Sequence, residues 1–268
     1  EIMFTLFEFN GGIRVPIFDQ QIWFEYVYQK FRQQIQNKFS AQGENFEFTP
    51  YGFDYYRGHS IRLKGLYNMR KPEYAGNMLP SNGYTINYEL SYEKNNFMSG
   101  LDFESNVIKT NFNPNNTFKL SIEGYKHWTI DSERKIVSSV HSKIGFISNN
   151  KIDDFFHYFG GGLPGMKGYT FYDSTLTGTN LLINTISLRV PIFIERNYRL
   201  FHLNIQNMSF GTIFQVGGGF NSNIQDWIMD KKYKLSTGFE YRIGGYSFYA
   251  YPISISYEYH IPLNSIDE

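Results

Sequence analysis

Hydrophobic and polar positions alternate with a period of two through most of the chain. From Tyr84 to Lys94, Tyr84, Ile86, Tyr88, Leu90 and Tyr92 fall on one side, and Thr85, Asn87, Glu89, Ser91 and Glu93 fall on the other. Successive side chains of an extended strand point to opposite faces, so this pattern predicts a strand with one apolar face. The same pattern returns from Tyr233 to Gly244 and from Ile253 to Leu263, and in weaker form over 97–105, 118–128, 136–147, 182–193 and 208–216. Between these runs stand Asn95-Asn96, Asn113-Pro114-Asn115-Asn116, Asn149-Asn150, Glu195-Arg196-Asn197 and Gly244-Gly245. Asn and Gly tolerate the backbone angles of tight turns, so these clusters predict hairpins joining neighbouring antiparallel strands. One segment departs from the pattern. Phe24, Tyr28, Phe31, Ile35 and Phe39 recur at helical spacing, which predicts a strand through Tyr28 followed by a loop or short amphipathic helix.

The predicted strands are longer than the five or six residues typical of a soluble sandwich, and they match the roughly 9 to 11 residues of a tilted strand crossing a bilayer. Composition supports that reading. The chain of 268 residues carries 26 Phe, 22 Tyr and 3 Trp, yet its mean hydropathy is only −0.40. A soluble core would lean on aliphatic residues. In a transmembrane barrel the apolar face meets lipid, aromatics band the interfaces and the polar face lines the interior, so low mean hydropathy and many aromatics coexist. Basic and acidic residues balance at 25 each, which excludes the basic footprint of a nucleic-acid binder. The absence of cysteine excludes disulfides and thiolate metal sites. No stretch approaches the roughly 18 apolar residues of a membrane-spanning helix. Residues 1–268 therefore read as one all-β domain, a transmembrane antiparallel up-and-down β-barrel of about 12 to 16 strands. The opening Glu1-Ile2-Met3 has neither an initiator Met nor the regions of a signal peptide, so the chain reads as a piece of a longer or processed protein.

The most distinctive local sequence is Phe159-Gly160-Gly161-Gly162-Leu163-Pro164-Gly165-Met166-Lys167-Gly168-Tyr169. Gly160, Gly162 and Gly165 spell a dinucleotide-binding pattern, but Pro164 interrupts it and no helical period follows, so the nucleotide reading fails on context. The glycine pair Gly160-Gly161, then Met166-Lys167-Gly168-Tyr169, then a strand carrying Leu188-Arg189-Val190-Pro191, resembles the superfamily of BamA, TamA and two-partner-secretion outer-membrane barrels. Leu79-Pro80-Ser81-Asn82-Gly83 is similar to that family's strand opening. Gly12-Ile13-Arg14-Val15-Pro16-Ile17-Phe18 repeats the Arg-Val-Pro-Ile-Phe of the later strand. The resemblance covers about residues 80–263. It implies that a loop over about 159–178 folds into the barrel lumen, where the family's motif arginine is held by aromatic and acidic groups. Lys167 stands in that arginine's place, with Glu240 and Glu258 on polar strand faces as candidate partners. A point-like ammonium replaces a planar guanidinium, which is not an equivalent substitution.

No other residues announce chemistry. The six histidines lack the paired spacing of a metal site, and His260, on a polar strand face, lacks a recognisable catalytic partner. No cofactor, metal or catalytic residue is expected. What the resemblance implies is a bacterial outer-membrane location and a role in protein insertion or secretion, with outer-membrane lipid, envelope proteins or unfolded barrel clients as partners. The implied mechanism is pairing of a client strand at a seam between the first strand, near Met3 to Phe9, and the last, near Ile253 to Leu263. The alternatives are a non-catalytic barrel that anchors another domain or joins an envelope complex, and a passive porin.

Overall fold

A computed structural model describes residues 2–17, 20–35, 38–41, 44–47, 51–74, 79–104, 107–149, 152–248 and 251–264. The strands are β1 (Ile2–Ile17), β2 (Gln20–Ile35), β3 (Lys38–Ala41), β4 (Glu44–Glu47), β5 (Tyr51–Asn68), β6 (Lys71–Tyr74), β7 (Leu79–Glu104) and β8 (Val107–Asp131). They continue as β9 (Ile136–Ile147), β10 (Tyr158–Phe159), β11 (Thr177–Gly178), β12 (Asn180–Phe193), β13 (Tyr198–Leu200), β14 (Leu203–Phe220), β15 (Lys234–Ser247) and β16 (Tyr251–Pro262), with one helical turn, α1 (Ile224–Met229), between β14 and β15. A single sheet of 12 strands follows the path β1-β2-β5-β7-β8-β9-β12-β14-β15-β16, with β6 paired to β7 and β13 paired to β14 at its side. Each long strand is hydrogen-bonded to the one that precedes it in the path, the up-and-down order expected of consecutive hairpins.

The residues form two compact units, one of 1–16, 21–64 and 89–119, the other of 17–20, 65–88 and 120–268. In the second unit the alternation read from the sequence becomes a division by exposure. Phe210, Phe214, Phe239, Ile255, Tyr257, Tyr259 and Ile261 are exposed, whereas Asn207, Ser209, Gln215, Ser236 and Glu240 are buried. This is the reverse of a soluble sheet, whose hidden face is the apolar one. In the first unit Glu93 and Asn95 are buried while Phe24, Tyr26 and Tyr92 are exposed.

Several expected boundaries move. β2 is one strand of 16 residues, so the helical spacing after Tyr28 does not produce a helix. Pairing with β1 and β5 satisfies its backbone on both sides, and Val27 is buried on its inner face. Asn95-Asn96 lies inside β7, a strand of 26 residues, and is not a turn. The buried Asn95 instead accepts a hydrogen bond from the Tyr56 hydroxyl at 2.5 Å and donates to Glu93 at 3.2 Å. Asn113-Pro114-Asn115-Asn116 is likewise carried within β8. Gly244-Gly245 lies inside β15, where Gly244 pairs with Asn207 on one side and Ser254 on the other. At Gly244-Gly245 pairing along both edges outweighs the local turn preference. Of the remaining expected turns, Glu195-Arg196-Asn197 connects β12 to β13, and Asn150 lies outside the described residues, as do Phe18 and the tail from 265.

Candidate functional site

Between β9 and β12 the chain builds a folded loop instead of a short turn. β10 pairs with β11 at the loop's neck, through Tyr158 opposite Gly178 and Phe159 opposite Thr177. Within it, Gly160 donates its N–H to the Leu176 carbonyl at 2.9 Å and accepts from the Met166 N–H at 2.7 Å. Gly161 bridges to Met166, and Gly162 donates to the Tyr169 carbonyl at 3.1 Å. The Asp173 carboxylate accepts from the Thr175 N–H at 3.0 Å and from its hydroxyl at 2.6 Å, closing the last turn. These bonds hold Met166 and Leu176 fully buried against Leu181 and Ile183 of β12, with Tyr158 and Tyr169 packed around them. Two such side chains contribute on the order of 3–6 kcal/mol by burial, enough to keep the loop attached to the sheet.

The loop is fixed to the buried face of β14, β15 and β16 by polar contacts that converge on residues 165–169. Gln215 of β14 accepts the Lys167 N–H at 2.9 Å and reaches back to the Gly165 carbonyl at 3.4 Å. Its amide is itself held by donation to the Thr185 hydroxyl at 3.0 Å and acceptance from Ser236 at 3.1 Å. The Lys167 ammonium bonds the Glu258 carboxylate of β16, and His260 stands 3.4 Å from the same carboxylate. Gly168 has a positive φ of 97°, a left-handed conformation that glycine adopts without strain, where the loop passes over Pro262 of β16. The Tyr169 hydroxyl donates to the Leu235 carbonyl at 2.6 Å. Burial pushes the Tyr169 phenol above its ordinary range, which keeps this donor protonated. Lys143 of β9 donates to the Pro164 carbonyl at 2.5 Å and completes the ring of contacts.

The two candidate carboxylates thus have different partners. Strand register sets Arg189 opposite Gly211, Gly211 opposite Glu240, and Glu240 opposite Glu258. The missing side chain at Gly211 lets Arg189 reach across β14 to Glu240 at 3.1 Å. Arg242 contacts Glu240 from the same strand. Glu240, 3% exposed, is therefore occupied by two arginines, and Glu258 is met by Lys167 with His260 beside it. The carboxylates face one another across a strand pair, an arrangement that repels unless cations are interleaved. Arg189, Arg242 and Lys167 are those cations.

The spacing of residues did not reveal Gln215 or Asn264. Asn264, which follows the alternating run that ends at Leu263, accepts the Leu235 N–H at 2.6 Å and donates to the Tyr233 carbonyl at 2.9 Å. Its position one residue past an alternating strand was the one available signal. Elsewhere on the polar face His127 lies 2.6 Å from the Ser139 hydroxyl, and His141 lies 2.8 Å from Glu123 while stacking on Tyr125 at 4.0 Å. Among the described residues no group of three or more His, Cys, Asp or Glu is placed to hold a metal ion. No helix among them is long and apolar enough to cross a membrane.

No protein-family model matches the chain, and no curated protein does. Among solved structures, the chain is similar to the crystal structure of BamA from Haemophilus ducreyi lacking POTRA domains 1–3, with a TM-score of 0.60 and 12% identity. The match covers 98% of this chain and 52% of that one, so the chain spans about half the length of the structure it resembles. With the reversed burial of the strands and the loop packed on their polar face, the chain has the fold of the BamA barrel, a transmembrane antiparallel up-and-down β-barrel with an inserted loop.

Proposed function

We propose that this chain is a barrel region of the assembly and secretion type, seated in the bacterial outer membrane and acting on other envelope proteins without chemistry of its own. The observation that carries this reading is the loop pinned by Gln215 and Glu258 across β14 to β16 of a BamA-like sheet. On this reading Gly160 and Gly161 shape the loop's neck, Met166 anchors it, and Lys167, Gly168 and Tyr169 attach it to the wall, with Glu258 as the partner of Lys167. Such a loop obstructs the interior, which weighs against a passive porin. Transport would then occur at a seam where the sheet ends, by strand addition. The path ends on β1 and β16, and an edge strand offers a row of backbone donors and acceptors to an incoming strand.

The cysteine-free chain makes the test direct. Single cysteines at Ser254 and Ser256 in β16, with a control at Ser187 in β12, are incubated in vesicles with an unfolded barrel client that carries a cysteine ladder. Disulfides that form at β16 with a two-residue periodicity along the client, and not at Ser187, are the expected result. Client capture no greater at β16 than at Ser187 overturns strand addition there and leaves the anchoring role as the better reading.

A further inference from the structure

Within the unit of residues 1–16, 21–64 and 89–119, β2 exposes Phe24 and Tyr26 and buries Val27, and β5 exposes Arg57, His59 and Ile61 and buries Tyr56 and Ser60. On the buried face Glu25 pairs with Lys64 at 2.7 Å, Lys119 pairs with Glu93 at 3.1 Å, and Phe31 meets Tyr56 edge-on at 5.6 Å. The opposite face carries Phe24, Tyr26 and Tyr28, with the Tyr26 hydroxyl 2.6 Å from His59 and the Tyr28 ring 4.9 Å from it. That same face of β2 then continues as Lys30 and Arg32, so an aromatic row gives way to cations within two steps of about 7 Å each. Lys30 and Arg32 join Arg57 of β5 and Lys109 of β8 around a cleft of about 440 Å³.

Four cations line this cleft with one carboxylate among them. Asp54 holds Lys30 at 3.1 Å and the Arg57 Nε at 2.9 Å, and the Arg57 guanidinium also lies 4.9 Å over the Phe112 ring. Among the described residues neither Arg32 nor Lys109 has a carboxylate partner, so the cleft keeps a formal excess of three positive charges. A Cβ on Gly52 would lie within 3.0–3.2 Å of the Gln34 and Arg32 side chains, so its bare backbone forms part of the floor. Cations on a lipid-facing surface are strongly disfavoured at mid-bilayer and nearly free at the interface, where aromatic rows also gather. Guanidinium and ammonium groups converging at that depth match one ligand chemistry, a phosphate group.

We propose that this cleft binds the phosphate of an anionic membrane lipid. Asp54 presets Lys30 and Arg57, while Arg32 and Lys109 supply the uncompensated charge. The proposal rests on the reading of the exposed aromatic face as lipid-facing, so the experiment separates the two. Folding into phosphatidylcholine vesicles, read by a heat-dependent change of migration on gels, tests the membrane reading alone. Lipid binding is then measured by native mass spectrometry of the folded protein in neutral detergent, titrated with phosphatidylglycerol. Arg32→Gln and Lys109→Gln, neither of which breaks an ion pair, should each weaken binding roughly fivefold and together roughly 25-fold. Arg199→Gln on the exposed β13 should leave it unchanged. Three results overturn the proposal: wild-type affinity in the double variant, equal binding of phosphatidylcholine, or displacement of the lipid by equimolar inorganic phosphate, which would mark a site for free phosphate.

Discussion

Glu240 organises the interior charge, because it is buried with two arginines and faces a second carboxylate across the strand. Removing one partner from a buried ion pair strands the other, at a cost of about 3–5 kcal/mol. Arg189→Met should lower stability by about 2–4 kcal/mol, since Arg242 remains to neutralise Glu240. Glu240→Leu should cost more, because it leaves two cations without their anion. The double variant should cost less than the sum of the singles, and urea unfolding in vesicles measures all three. Additive losses would show that Arg189 and Glu240 do not depend on each other. Lys167 presents the opposite case. Its side chain is 28% exposed, and its backbone N–H is held independently by Gln215, so the ammonium is one attachment among several. Glu240 and Glu258 are both acidic residues on polar strand faces in the sequence, and only cross-strand register, with the gap at Gly211, assigns one to the arginines and the other to the loop.

The inserted loop is the element whose behaviour is most open to test. Gln215 makes contacts to the loop on both sides of Met166 and is itself buried and held by Thr185 and Ser236. Gln215→Ala removes the clamp without touching the loop's own fold. Losing a buried hydrogen-bond group of this kind costs about 1–3 kcal/mol, so trypsin should cut after Lys167 at least roughly fivefold faster in the variant. An unchanged cleavage rate would mean that burial of Met166 and Leu176 alone holds the loop. The long strands teach a different lesson. Asn95-Asn96, Asn113 to Asn116 and Gly244-Gly245 all have turn chemistry, and all lie within strands. In β7 the Asn95 amide spends its capacity on Tyr56 and Glu93, and in β15 both glycines are paired on each side. Local propensity is worth tenths of a kcal/mol up to about one, less than a ladder supported along both edges.

At the scale of the whole molecule, the exposed aromatic surface requires an apolar environment. The folded chain should stay dispersed only in detergent or lipid, and should migrate faster unboiled than boiled on gels. A monomer that is stable in plain buffer would end the membrane reading and the lipid-binding cleft with it. Alternation by itself determined the class of protein, because the face on which a strand residue lies depends only on its parity, and the parity of Tyr, Phe and Ile against Glu, Ser and Asn is written in the order of the residues. It also put Glu240 and Glu258 on polar strand faces, whereas the loop over 159–178 and the choice of Lys167 came from the resemblance carried by Gly160-Gly161 and Met166-Lys167-Gly168-Tyr169. Tertiary structure alone decided which carboxylate meets Lys167, that Gln215 and Asn264 hold the loop and its wall, and that four cations from three strands share one cleft. Those outcomes depend on the register between strands far apart in the chain, an energy summed over whole ladders that no local window contains.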